Sequence, residues 1–137
     1  MVQFYLLAVI LNILGGLILA SPLLQEKIPM LENLHEALRI NIASRMIFIL
    51  LAVAVGIFKI LSVTKGDVAV VGDLIPALGL LLMAGVFFLD YYKEQSEVGS
   101  SFINTLQRIF VDNKSTVGIV LVIIGLLHFL FPRVLFL

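Results

Sequence analysis

Residues 46–89 read MIFILLAVAVGIFKILSVTKGDVAVVGDLIPALGLLLMAGVFFL. Two apolar runs, 46–63 and 68–89, flank the turn-forming tetrapeptide Thr64-Lys65-Gly66-Asp67. A helix needs about 20 predominantly apolar residues to cross the hydrocarbon core of a bilayer. Both runs are near that length, and the short polar break between them predicts two antiparallel neighbouring spans. Two more apolar stretches, 2–20 and 116–131, lie on either side. The fold expected is an all-α membrane protein of four transmembrane helices, in a single domain that uses nearly all of its 137 residues.

Composition agrees. Hydrophobic residues make up 61% of the chain and mean hydropathy is +1.17, against roughly half apolar residues in soluble domains. Nine basic and nine acidic residues balance, so nucleic acid is not an expected partner. The absence of cysteine removes thiol redox chemistry, thiolate metal sites and palmitoylation. The stretch 2–20 has no basic residue before it, unlike a secretory signal, and is expected to be a retained first span.

The longer connections carry helical periodicity. Leu31, Leu34, Leu38 and Ile42 recur at helical spacing with Glu32, Glu36 and Arg39 between them. Phe102, Ile103, Leu106, Ile109 and Phe110 form a second apolar face opposite Gln107, Arg108 and Asp112. Each pattern predicts an amphipathic helix lying in the membrane interface. Asn33 and Ser100 or Ser101 are the expected N-caps. Asp90, Lys93, Glu94 and Glu97 read as a solvated cluster at the start of the third connection.

Placing Arg39 on Arg108 also superimposes Gly16 on Gly85, Ile40 on Ile109, Arg45 on Lys114, Gly56 on Gly125, Lys59 on His128 and Leu61 on Leu130. That register predicts a tandem duplication of a two-span unit, with repeats of about 1–66 and 67–137. Convergent up-down topology is the alternative, since hydropathy alone imposes similarity. Lys27, Arg39, Arg45, Lys93, Arg108 and Lys114 lie in the first and third connections, against Lys59, Lys65 and Arg133 on the other side. The bias puts both long connections in the cytoplasm and both termini outside. A bacterial cytoplasmic membrane is the expected location. Phe4-Tyr5 and Tyr91-Tyr92 are the expected interfacial aromatics.

Ionisable groups inside a membrane are costly, so each is a functional candidate. Asp73 precedes Pro76, a residue that removes a helical hydrogen bond, and would be a cation or proton site or an interfacial cap. Lys59 and His128 are expected at comparable depth, either in a polar site with Asp73 or as a snorkelling lysine and a packed histidine. Asn12 is expected to hydrogen-bond across helices. Gly16, Ala20, Ala52, Gly56, Gly79, Gly85, Gly118 and Gly125 are small residues suited to close helix packing or to docking another protein.

No hydrolase, nucleotide-binding, zinc-protease or dithiol motif occurs, so no enzymatic activity and no cofactor or metal are expected. The leading functional expectation is an accessory or scaffold subunit of a larger membrane complex, partnered by lipid and by other membrane subunits or further copies of itself. The alternatives are a small oligomeric transporter or channel using Asp73, Lys59 and His128, and a lipid-binding protein.

Overall fold

The computed structural model describes residues 2–61, 74–96 and 99–131. Helix makes up 90% of it and no strand occurs among the described residues. Among the described residues seven α-helices follow one another: α1 (Val2–Leu19), α2 (Ser21–Leu24), α3 (Pro29–Ile40), α4 (Ile42–Leu61), α5 (Leu74–Gln95), α6 (Ser101–Leu106) and α7 (Lys114–Leu130). A π-helical segment, Gln107–Val111, lies between α6 and α7.

Four long helices form an up-down bundle. α1 packs most extensively on α7 and α4 on α5, while α5 also meets α1 and α7. Ala8, Leu11, Leu19, Ala52, Leu80, Met83 and Leu121 build the close-packed centre. The outside is apolar as well: Ile47, Leu50, Phe58 and Leu61 on α4 are all exposed, Leu50 by 67%. Charged Arg45, Lys59 and Asp90 are instead buried. This inverted distribution is that of a chain whose solvent is lipid.

By length and composition, α4 and α5 can cross a membrane, and a third span arises if α7 is counted with the preceding helical pair, bent by 60°. Those two to three helices are consistent with a membrane protein. The bend coincides with the π segment and the turn after it. There Asp112 N–H donates to the Gln107 carbonyl, and the Asn113 amide donates to Arg108 and Ile109 carbonyls.

Several boundaries differ from the sequence reading. α4 starts at Ile42 rather than near Met46, its first turn capped by Asn41 Oδ1, which accepts from Ser44 N–H at 3.2 Å. α5 runs on to Gln95. Both changes draw charged residues out of the loops and onto helices. α3 starts at Pro29, where a missing N–H costs nothing, so Asn33 is mid-helix and not a cap. Ser100 caps α6, accepting from Ile103 N–H. The turn around Lys65 and the candidate Asp73 lie outside the described residues.

The small residues mostly face inward. Gly16 and Gly118 set the contact of α1 with α7: a Cβ at Gly16 would lie 2.6 Å from the Gly118 carbonyl oxygen, and one at Gly118 would meet the Gly16 carbonyl and the Ala20 amide. Ala20 and Ala52 are buried. Gly56 lies against Ala77 and Leu81, and Gly125 against Asn12 and Ile13. Gly85 has open space where a Cβ would stand. Gly118→Val should therefore destabilise the bundle by about 1–3 kcal/mol, the usual cost of overpacking. Gly85→Ala should stabilise it by up to about 1 kcal/mol through helix propensity. Reversible unfolding in mixed micelles measures both.

Candidate functional site

Polar side chains gather at the two ends of the bundle. On α4, Arg45 and Lys59 are separated by about 21 Å of helix at 1.5 Å per residue, and each is the centre of one cluster.

At the end carrying Lys59, three helices converge on the Tyr5 ring. Lys59 Nζ of α4 lies 5.4 Å from its centroid, and the His128 ring of α7 packs on it at 4.7 Å. Tyr5 Oη donates to the His128 carbonyl at 2.7 Å. Tyr5 thus satisfies a carbonyl in the last turn of α7 and offers its face to a cation, an attraction that strengthens away from water. Lys59 is only 5% exposed.

One helical turn inward from His128, Asn12 is fully buried. Its Nδ2 donates to the Ala8 carbonyl at 3.0 Å and across helices to the Pro76 carbonyl at 3.1 Å. Its Oδ1 has no hydrogen-bond partner among the described residues. A Cβ at Gly79 would stand 2.7 Å from it, so the glycine leaves the space that this oxygen occupies. Pro76 stands in the first turn of the described α5. Its effect on the chain at 72–73 falls outside the described residues.

The other end was misread from sequence. Asp90 is buried, and its Oδ2 is shared by Arg45 Nη2 at 3.4 Å and Lys114 Nζ at 3.2 Å. Arg45 is 2% exposed, bonds Glu94 Oε2 at 2.6 Å and lies over the Tyr91 ring at 5.5 Å. Asp90 is therefore not a solvated loop residue. It joins the starts of α4 and α7 to the last turns of α5. Lys93 and Asp112, 3.0 Å apart, form an exposed pair beside it.

His35 of α3 closes the same end. A carbonyl only accepts, so the 3.2 Å contact of Nδ1 with the Ile18 carbonyl requires the proton on Nδ1. Burial and then the neighbouring Lys114 charge lower the pKa of His35 below its usual 6.5; Arg45 adds to this, while the Ile18 bond and Asp90 oppose it. A small cleft is lined by His35, Leu38, Arg39, Arg45, Phe87 and Asp90.

Among the described residues no three His, Asp or Glu side chains are grouped to hold a metal. The structure brings Lys59, His128 and Asn12 to one end of the bundle, and Asp73 lies outside the described residues. The Asp90 group was legible only as separate charges.

Residues 1–128 match the model of an uncharacterised protein family, and the chain belongs to that family. No curated protein and no solved structure matches it.

The two ion-pair types should differ sharply in mutants. Asp90→Asn leaves Lys114 without its carboxylate and Arg45 with Glu94 alone. It should cost about 3 kcal/mol, the low end for breaking a buried pair. Lys93→Ala should cost under about 1 kcal/mol, as exposed pairs do. Denaturation midpoints of the two variants, compared with wild type, test the ordering.

Proposed function

We propose that this chain is a four-span integral membrane protein with a non-enzymatic role, an accessory or scaffold subunit of a larger membrane assembly. α1, with 18 residues, and α7, with 17, fall at the lower end of the length that spans a bilayer. The carrying observation is how the interior is used. Gly16, Gly118, Gly56, Gly79 and Gly125 are filled by neighbouring helices. The buried charges of Arg45 and Asp90 pair with each other, and the half-buried Lys114 and the more exposed Glu94 complete the balance. A centre so occupied leaves the outer, lipid-facing surface as the part of the molecule that meets something else. Orientation by the loop charges puts the Asp90 end in the cytoplasm and both termini outside, in a bacterial cytoplasmic membrane.

A tandem two-span repeat fits the packing. In the register that superimposes Arg39 on Arg108, the contact of Gly56 with Leu81 corresponds to that of Gly125 with Asn12. Likewise the first long helix of each half packs most extensively on the last helix of the other.

A second reading has its own support. Lys59 and His128 share the Tyr5 ring, a buried basic group of the kind that lines ion or proton pathways. It favours a small transporter or channel, which four helices would form by self-association.

Native mass spectrometry from nanodiscs separates the two. Foreign subunits at fixed stoichiometry are the expected result. A monomer without partners would overturn the scaffold reading. A homo-oligomer would move the case to transport, where Lys59→Met should abolish liposome flux.

A further inference from the structure

Among the described residues, the amphipathic helix α3 makes a polar contact with the bundle that arises from a backbone defect. Ile18 lies in the last turn of α1, and its carbonyl would ordinarily accept from the N–H four residues on. That residue is Pro22, which has none. The orphaned carbonyl lies beside the buried Ile18 side chain, and His35 Nδ1–H from α3 reaches it at 3.2 Å. Leu31 of α3 is buried alongside, and Leu38 packs against the core.

We propose that His35 is a pH-operated latch: neutral, it fastens α3 to the end of α1, and protonated, it releases α3 from the bundle. This rests on where α3 lies and not on the scaffold reading.

The surroundings of His35 set the sign. α1 and α2 present no charged side chain to it. α4 presents Arg45, α5 presents Asp90 with Glu94 behind it on Arg45, and α7 presents Lys114. On α3 itself, Glu36 and Arg39 pair with each other at 3.6 Å and Glu32 is exposed. Asp90 is already shared by Arg45 and Lys114, so little of its charge is left for an imidazolium. A proton on Nε2 would keep the bond to Ile18 but add a half-buried positive charge next to two others. Burial and Lys114 accordingly lower the His35 pKa in the docked state. The docked state then binds fewer protons than the released one. Docking is full above the ordinary histidine value of 6.5 and weakens as pH falls from there to the lowered docked value. One proton limits the change to about tenfold in the docking equilibrium per pH unit.

The chain has no cysteine, so a spin-label pair can be introduced cleanly at the exposed positions Asn33 of α3 and Thr116 of α7. Distances would be measured for Asn33→Cys/Thr116→Cys in nanodiscs at about pH 7.5 and about pH 5, either side of the histidine range. A longer and broader distribution at low pH is expected. Adding His35→Asn, whose amide keeps the donor without the titration, should hold the docked distance at both values. An unchanged distance in the wild-type background overturns the latch. So does an acid-induced change that persists with His35→Asn, which would assign it to a carboxylate. If His35→Asn does not fold, NMR of the isotope-labelled His35 ring decides. Titration of the ring together with the distance change supports the proposal, and titration without it refutes it.

Discussion

The shared carboxylate of Asp90 is the interaction on which the rest of the bundle depends. Arg45 and Lys114 begin two of the four long helices, and both point at one oxygen of a residue on a third. Lipid offers an ammonium or guanidinium group nothing, and its transfer there costs several kcal/mol. Each cation must therefore find a partner within the protein or reach the aqueous surface. Because one carboxylate receives both, separating the starts of α4 and α7 takes that carboxylate away from one of the two cations. Glu94 and the Tyr91 face complete the shell around Arg45. Apolar packing in a membrane gains little from burial alone, since lipid tails are as apolar as leucine. Directional contacts of this kind then decide which helices are neighbours.

The glycines complement that constraint. A backbone-to-backbone approach such as Gly16 on Gly118 maximises dispersion contact where the hydrophobic effect is absent. It also leaves space for the one strongly polar side chain in the middle of α1. Asn12 fits because Gly79 and Gly125 remove the atoms that would occupy its place. Its bond to the Pro76 carbonyl then ties α1 to α5 near the Tyr5 end, as Asp90 ties α4 and α7 to α5 at the other. α5 thus takes part in the polar ties at both ends, and both α1 and α5 meet every other long helix.

Most of the architecture could be read from the chain, because apolar run length and helical spacing are local properties. The four long helices, the amphipathic α3 and the Ser100 cap all follow from residues close in sequence. What escaped depends on partners far apart. Asp90 and Arg45 were read as loop residues because an apolar run ends where the charges begin. The helix does not end there: α4 starts four residues before Met46, and α5 outlasts Leu89 by six. A charged residue one turn inside a helix is indistinguishable in sequence from one just outside it. Only its partner on another helix makes its burial tolerable. The π segment escaped for a related reason, since Gln107–Val111 continues a helical pattern and its extra residue per turn is a matter of tertiary fit. His35 left a faint trace in Pro22, whose missing N–H announces an unsatisfied carbonyl at Ile18 without saying what fills it.

On the proposed repeat, the two ends share a further logic. Arg45 and Lys114 occupy corresponding positions, as do Lys59 and His128. Each pair of basic residues converges on one residue that has no counterpart of its kind: Asp90 corresponds to Ser21, and Tyr5 to Leu74. A symmetric solution would have supplied a carboxylate and an aromatic ring in each half. Two carboxylates between two cations would leave the cluster balanced in charge, but they would have to be desolvated together in a space that here holds one buried acid. One carboxylate between two cations leaves a net positive residue, and Glu94, more exposed than Asp90, offsets it from the rim. On that repeat, the loss of symmetry at Asp90 follows from the need to balance duplicated cations in a space that holds one buried acid.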